Sequence, residues 1–159
     1  REIQVAIMGE KKLGAIECIN YKNVDLLKEI KNACPDGVDV YFDNVGGQIL
    51  EIVLFRMNMK GRIVCCGAVS QYDGTTPIGP RNLPGLLIVK RLKMEGFIVM
   101  DYAKEHGNAI KHLSEMNAAG DIKVTEDITE GLENAPDALI GLLNGDNFGK
   151  RMVRITADP

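Results

Sequence analysis

The chain has 159 residues, 45% of them hydrophobic and 26% charged, which suits one globular domain with a sizeable core. A formal net charge of -3 argues against a nucleic-acid partner or an anionic membrane surface. No apolar run reaches the ~20 residues of a membrane span, and the opening residues do not form a signal peptide, so we expect a cytoplasmic protein. The first residue is not Met, which suggests a fragment.

The cysteines show no spacing typical of zinc ligands. Two are isolated and two are adjacent: Cys18, Cys34, Cys65 and Cys66. Neighbouring strand residues point to opposite faces, so the adjacent pair is not expected to form a disulfide. We predict free, buried thiols in a reducing compartment and no metal site, with a redox role as the alternative.

The first half of the chain alternates short apolar runs with amphipathic stretches. The runs are typical of strands, whereas apolar residues three or four apart indicate helices. Asn23 is a candidate N-cap for the first helix. In chain order we predict strands at 3–8 and 15–21, a helix at 24–33, a strand at 38–42 and a helix at 48–59.

The second half keeps this order and then changes. We predict a strand at 62–67, a turn-rich loop at 70–80, a helix at 83–93, a strand at 94–100 and a helix at 109–119. These are followed by a strand with period-two alternation at 122–128, a helix at 134–143 and a last strand at 149–156. Strands that alternate with helices predict an α/β fold with a doubly wound parallel sheet, to which the two last strands are additions.

The segment 37–47 carries the clearest functional signal. An apolar strand with Val40 and Phe42, of the kind that a sheet covered on both faces buries, runs into the polar pair Asp43-Asn44. Gly46-Gly47 then allows a sharp turn or the close approach of a ligand. Ligands of open α/β sheets bind at this carboxyl end of the strands. An ordinary corner between strand and helix is the alternative.

Four ordered segments of the chain point to a family. They are Ile19-Asn20-Tyr21-Lys22, residues 38–47, residues 61–72, and residues 131–136 with 145–150. Together these segments resemble the zinc-independent branch of the medium-chain dehydrogenase/reductase superfamily, the prostaglandin reductase and NADPH-dependent 2-alkenal reductase family. The resemblance extends from about residue 13 to the end of the chain and implies a Rossmann-type fold.

The resemblance implies an NADP-dependent oxidoreductase with NADP(H) as cofactor. Its substrate would be a small-molecule enone or enal, of the 15-oxoprostaglandin or alkenal type, whose carbon–carbon double bond is reduced. Independently of the resemblance, open strand edges predict a homodimer, and the net charge argues against nucleic acid or membrane as partner. Two alternatives stay open: a non-catalytic truncated variant with a binding role, and a quinone reductase of the same superfamily.

Family roles can be transferred to the residues that match. Lys11 and Tyr21 would bind the 2'-phosphate of the cofactor, Tyr72 would be the catalytic hydrogen-bond donor, and Asn44 and Asn147 would contact the cofactor. The remaining cofactor contacts belong to the loop after the fifth strand and to the sixth-strand backbone: Cys66, Gly67, Ala68, Val69, Ser70, Gln71 and Tyr72, then Phe97, Ile98 and Val99. For the lysine, the tyrosines and Asn147, surface or packing roles are the alternative.

The sequence also departs from the family. No G-x-G-x-x-G motif occurs, and no segment supplies the GroES-like substrate domain. We therefore expect 1–146 to be a partial NAD(P)-binding domain and 147–159 to be a strand that returns to the absent domain. The sheet would lack its first strand, the chain would be inactive alone, and two strand edges would be open. The alternative alignment makes 3–8 the first strand and 9–14 a degraded phosphate loop.

Overall fold

The computed structural model describes residues 5–7, 15–21, 24–72 and 79–157. The strands and helices alternate as predicted for an α/β fold. They are β1 (Val5–Ile7), β2 (Glu17–Ile19), α1 (Leu26–Ala33), β3 (Val38–Asp43), α2 (Gly47–Arg56), β4 (Met57–Cys65), α3 (Leu83–Lys90), β5 (Lys93–Gly96), α4 (His106–Ala119), β6 (Glu126–Glu130), α5 (Ala135–Asn144) and β7 (Lys150–Arg154). Short 3₁₀ helices lie at Val69–Gln71, Val99–Glu105 and Leu132–Asn134.

The strand pairings in the described part of the chain are all parallel. They form three sheets, with the orders β1-β2, β3-β4-β5 and β6-β7. The predicted fold class, an α/β fold with parallel sheet strands, is confirmed. In the doubly wound order the first strand would lie between β1 and β3, and the described strands are divided at this place.

The chain divides into two compact units, Arg1–His106 and Gly107–Pro159. β6 and β7 pair within the second unit. The assignment of 1–146 to a cofactor domain and of 147–159 to a returning strand stays a prediction. Among the described residues, no helix has both the length and the apolar character needed to cross a bilayer.

Two helix boundaries differ from the prediction. The first helix begins at Leu26 rather than 24, because Asp25 is its N-cap and accepts a hydrogen bond from the Lys28 amide. The predicted cap Asn23 lies outside the described residues. The second helix ends at Arg56 rather than 59, because the backbone becomes extended at Met57 and continues as a nine-residue strand.

Later boundaries shift for similar local reasons. Helix α3 ends at Lys90 because Arg91 takes a left-handed conformation with φ of 51°. The predicted strand 94–100 ends at Gly96, and the Asp101 carboxylate accepts from the Ile98 amide as the chain enters a 3₁₀ helix. Smaller differences concern the first two strands, helix α4, which begins at His106, and the strand predicted at 122–128, which lies at Glu126–Glu130.

The core of the first unit is built around α2. Its apolar residues recur at helical spacing and are buried on one face, which packs against α1 and β3. The buried set is Ile19, Leu26, Ile30, Ile49, Leu50, Val53, Leu54, Met57 and Ile63. Full burial of one such side chain contributes roughly 1.5–3 kcal/mol, so this layer holds the strand ends in place.

Strand β3 is not buried on both faces as predicted. Val40 and Phe42 are 53% and 54% exposed, whereas Tyr41 packs against the core and Asp43 is buried. Side chains alternate along a strand, and only the face that carries Tyr41 and Asp43 meets the core layer. β3 also has one edge without a strand partner among the described residues, as expected for an incomplete sheet.

The four cysteines are free thiols. Cys34 is buried as predicted, and Cys18 and Cys65 are partly buried. The prediction of burial is wrong for Cys66, which is exposed because β4 ends at Cys65 and the chain leaves the sheet.

Candidate functional site

The loop 66–72 is attached to the end of β3. Cys66 and Gly67 both donate their amides to the main-chain oxygen of Asp43, at 2.8 and 3.2 Å. The two strand ends are therefore joined directly, in the same sheet and at the same edge. This attachment sets where the loop begins.

Hydrogen bonds further along the loop continue the attachment. The Val69 amide donates to the Asn44 oxygen at 3.1 Å, and the Ser70 amide donates to the Val45 oxygen at 3.1 Å. The Ser70 hydroxyl donates to the same Val45 oxygen at 2.6 Å. Successive residues of the loop are thus bonded to successive residues of the turn after β3, so the position of the loop depends on the conformation of that turn.

Glycines permit this close packing. A β-carbon on Gly67 would lie 3.1 Å from the Asn44 main-chain oxygen and 3.6 Å from the Tyr72 hydroxyl. Gly46 has a φ of 69°, a backbone conformation that residues with a side chain rarely adopt, and a β-carbon there would lie 3.5 Å from the β-carbon of Ala68. Three predicted site residues, Asn44, Gly67 and Tyr72, are therefore brought together.

An open groove of about 590 Å³ lies beside this loop. This volume falls within the range of roughly 300–1,000 Å³ found for small-molecule sites. Its walls come from the ends of β4 and β5 and the loops that follow them. They are Cys65, Cys66, Gly67, Ala68, Tyr72, Gly96, Phe97, Ile98 and Asp101. Six of these residues were predicted from the sequence.

The predicted residues after β5 have backbone partners of their own. The Phe97 amide donates to the Cys65 oxygen at 3.2 Å, and the Ile98 amide is 3.4 Å from the Asp101 carboxylate. The Phe97 ring lies 6.1 Å from that of Phe42 and 5.9 Å from that of Tyr102, measured between centroids. These contacts hold Phe97 as an aromatic wall of the groove.

Other predicted residues lie elsewhere. Tyr21 is partly buried and packs against the core cluster, while Val99 is 66% exposed and begins a 3₁₀ helix. Asn147 belongs to the second unit, where its side-chain amide donates to the Gly149 oxygen at 2.7 Å. Lys11 lies outside the described residues. Val69, Ser70 and Gln71 are exposed and do not line the groove.

The sequence reasoning missed three groove residues: Cys65, Gly96 and Asp101. Asp101 lies five positions after the end of β5 and three after Ile98, the N-cap of the 3₁₀ helix, where its carboxylate accepts from the cap amide. Cys65 was interpreted only as a buried strand residue. Burial and then the charge of Asp43 raise the pKa of the Cys65 thiol, so it stays protonated at neutral pH.

The groove combines small lining residues with apolar side chains and one hydroxyl. Gly67, Ala68 and Gly96 leave room for a close approach, Phe97 and Ile98 offer apolar walls, and Tyr72 contributes a hydroxyl close to Gly67. The described residues include no group of three or more His, Cys, Asp or Glu side chains that could hold a metal ion. A ribose and nicotinamide could be held here by the loop and the apolar wall.

Comparison with known proteins identifies the family. The sequence profile of the zinc-binding dehydrogenase family matches residues 8–115. Prostaglandin reductase 1 of Rattus norvegicus is 45% identical over 146 residues, which cover 91% of this chain and 44% of that protein. An NADP(+)-dependent 2-alkenal reductase of Nicotiana tabacum is 42% identical over 150 residues, covering 94% and 43%.

A solved structure gives the same result. CurA of Vibrio vulnificus, in complex with NADPH, superposes with a TM-score of 0.84 and 39% identity, over 97% of this chain and 49% of that one. The chain therefore belongs to the zinc-binding dehydrogenase family, and the relatives it matches include reductases of the kind that its sequence resembles. It spans less than half the length of the relatives it matches. The expected cofactor, NADP(H), is the one named for these relatives.

Proposed function

We propose that the chain is the cofactor-binding domain of an NADPH-dependent reductase acting on the carbon–carbon double bond of α,β-unsaturated ketones and aldehydes. The observation that carries the proposal is the groove at the carboxyl ends of β4 and β5, whose loop is attached to the end of β3. Ligands of open α/β sheets bind at this place. The names of the relatives support the choice of nucleotide and of substrate class.

Bound NADPH would supply the hydride that adds to the β-carbon of the substrate. In this proposal the Tyr72 hydroxyl donates to the cofactor ribose or to the substrate oxygen, where negative charge develops. Gly67 and Ala68 would admit the ribose, and Phe97 and Ile98 would lie against the nicotinamide ring. A hydroxyl donor can perform this role without zinc, so the reaction is proposed to be zinc-independent.

The proposal includes the remaining predicted contacts. Lys11 and Tyr21 would bind the 2'-phosphate, Asn44 and Asn147 would contact the cofactor, and Val99 would contribute backbone contacts. Residues 1–146 would form the cofactor domain, with 147–159 as a strand shared with a substrate domain. The cytoplasmic protein would be a homodimer, and the chain alone would bind nucleotide without turnover.

Titration of the chain with NADPH and NADH, followed by nicotinamide fluorescence, tests nucleotide binding. We expect a Kd for NADPH in the micromolar range and binding of NADH at least about tenfold weaker. Charge-assisted contacts to the 2'-phosphate contribute roughly 1.5–3 kcal/mol each, which is the reason for this difference. Binding of neither nucleotide would contradict the proposal and favour a non-catalytic role.

Substitution of Tyr72 by Phe tests the proposed donor. Loss of one hydrogen bond of roughly 0.5–1.5 kcal/mol should raise the Kd for NADPH about 2–10-fold. Tyr102→Phe is the matched control, because Tyr102 is not among the residues that line the groove and its ring contact with Phe97 is kept when the hydroxyl is removed. If wild type and Tyr72→Phe bind NADPH with equal affinity, the hydroxyl does not donate to the cofactor and its remaining proposed partner is the substrate oxygen.

Assays of the full-length gene product separate the substrate classes. With NADPH in excess, loss of nicotinamide absorbance should follow addition of an enone or enal. Turnover of a quinone without turnover of an enone would overturn the proposed substrate class and select the quinone reductase alternative. The same assay on the chain alone is expected to show no turnover.

A further inference from the structure

The Asp43 carboxylate is buried at the end of β3, with 2% of its surface exposed. One of its oxygens, Oδ1, accepts from the Tyr41 hydroxyl at 2.9 Å and from the amides of Val45 and Gly46 at 3.0 and 2.9 Å. Burial of a carboxylate is costly unless donors of this kind surround it. The carboxylate therefore determines the conformation of the turn 44–46.

The turn 44–46 determines the position of the loop 66–72. The main-chain oxygens of Asp43, Asn44 and Val45 accept all the hydrogen bonds described above that attach residues 66–70. The Asp43 carboxylate does not line the groove, yet each of those oxygens belongs to the segment that it holds. A change in the carboxylate would be transmitted to Gly67 and Tyr72 through the backbone alone.

We propose that Asp43 is a positioning residue for the cofactor: its carboxylate holds the turn 44–46 and thereby fixes the loop 66–72 in the geometry that binds NADPH. This inference rests on the proposed function, because it takes the groove to be the nucleotide site. It goes further because it assigns the geometry of that site to a residue that touches neither the cofactor nor the substrate.

Tyr41 supports this arrangement from the core side. Burial and then the negative charge and hydrogen bond of Asp43 raise the pKa of the Tyr41 hydroxyl above its ordinary value of 10.0. The hydroxyl therefore stays protonated at physiological pH and keeps donating to the carboxylate. Tyr41 also packs against the core cluster, so the carboxylate is anchored to the core of the unit.

The test compares Asp43→Ala and Asp43→Asn with wild type. Asp39→Asn is the matched control, because it makes the same chemical change on the same strand at an exposed carboxylate bonded to Asn58. Asp43→Ala should raise the Kd for NADPH about tenfold or more, since the charged acceptor of three hydrogen bonds is lost. Asp43→Asn keeps an acceptor oxygen without its charge, so its affinity for NADPH should be about threefold weaker than that of wild type, and Asp39→Asn should be unchanged.

Amide hydrogen exchange supplies a readout that does not depend on nucleotide. The amides of Cys66, Gly67, Val69 and Ser70 do not bond the carboxylate, so faster exchange there reports a displaced loop. We expect exchange at these four amides to become about tenfold faster in Asp43→Ala, while amides of helix α1 keep their rates. Faster exchange throughout the unit would indicate a purely structural role and would overturn the proposal.

Each remaining outcome is decisive. A folded Asp43→Ala chain with wild-type affinity overturns the proposal. If circular dichroism shows that this variant is unfolded, Asp43→Asn decides: affinity and exchange both equal to wild type overturn the proposal, and a roughly threefold weaker affinity with faster loop exchange supports it. A wild-type chain that does not bind NADPH contradicts the proposed function alone, and the exchange rates still decide whether Asp43 holds the loop.

Discussion

The Tyr41–Asp43 pair shows how a single buried carboxylate changes the chemistry of its neighbour. A tyrosine that is half-buried and donates to a carboxylate cannot ionise without placing two negative charges together. Its neutral form is therefore favoured in the folded chain, whereas the unfolded chain ionises at the ordinary value of 10.0. The folded state thus has the higher pKa, so the stability that this group contributes is complete below 10.0 and is lost at higher pH.

The raised pKa of Tyr41 in the folded state gives a prediction for Tyr41→Phe. The substitution should lower the free energy of unfolding at neutral pH by about 1–3 kcal/mol, because the buried carboxylate loses a donor. Above about pH 10 wild type should lose about 1.4 kcal/mol per pH unit relative to the variant, so the two stabilities converge. Urea unfolding at about pH 8 and about pH 11 measures both effects. Parallel stability curves would contradict the assigned pKa direction.

At the scale of elements, the connections between strands depend on backbone conformations that few residues can adopt. Gly149 precedes β7 with φ of 89°, and a β-carbon there would overlap the Thr125 carbonyl. That carbonyl accepts the Lys150 amide at 2.8 Å and so begins the pairing of β6 with β7. A side chain at Gly149 would therefore disturb the start of this sheet.

We predict that Gly149→Ala lowers the free energy of unfolding by about 1–3 kcal/mol, from backbone strain and the overlap together. Gly107→Ala is the matched control: it lies in helix α4, has no atom within 4 Å of the added carbon and should stabilise the chain by up to about 1 kcal/mol. Urea unfolding of both variants provides the comparison. A Gly149→Ala chain as stable as wild type would show that the turn can relax.

At the scale of the whole molecule, parallel strands with free edges invite association. β3 ends its sheet with one edge unpaired among the described strands, and Val40 and Phe42 are exposed on it. Unpaired backbone groups next to apolar side chains are a template for pairing with another chain. This is the physical basis for the proposed homodimer.

Sedimentation velocity over a range of concentrations should show reversible self-association of the chain. Val40→Lys should shift the equilibrium toward monomer, because a charge on an edge strand opposes pairing. Ile88→Lys, on the exposed side of helix α3, makes the same change away from the edge and should leave association intact. A wild-type monomer at every concentration would exclude pairing through this edge.

The α/β class and a polar turn at Asn44 could be predicted from the sequence, because strand-end turns depend on local chemistry: polar residues after an apolar run and glycines where chains approach closely. The family, and with it the placing of Gly67 and Tyr72 near Asn44, came from the resemblance of four ordered segments. The ends of helices and strands are predicted less accurately from the sequence, because the apolar pattern continues from α2 into β4. Only the extended backbone at Met57 ends the helix. Such boundaries depend on caps and on contacts distant in sequence.

Only the tertiary structure decided which face of β3 is buried and which of its two carboxylates holds the turn that follows. Alternation along β3 allowed burial of both faces, but Val40 and Phe42 are exposed because helices meet only the opposite face. Asp43 and Asp39 are two carboxylates on one strand, and the sequence does not distinguish them. Their difference comes from the donors that the fold gathers around one of them, and such long-range assembly has no local signature in the chain.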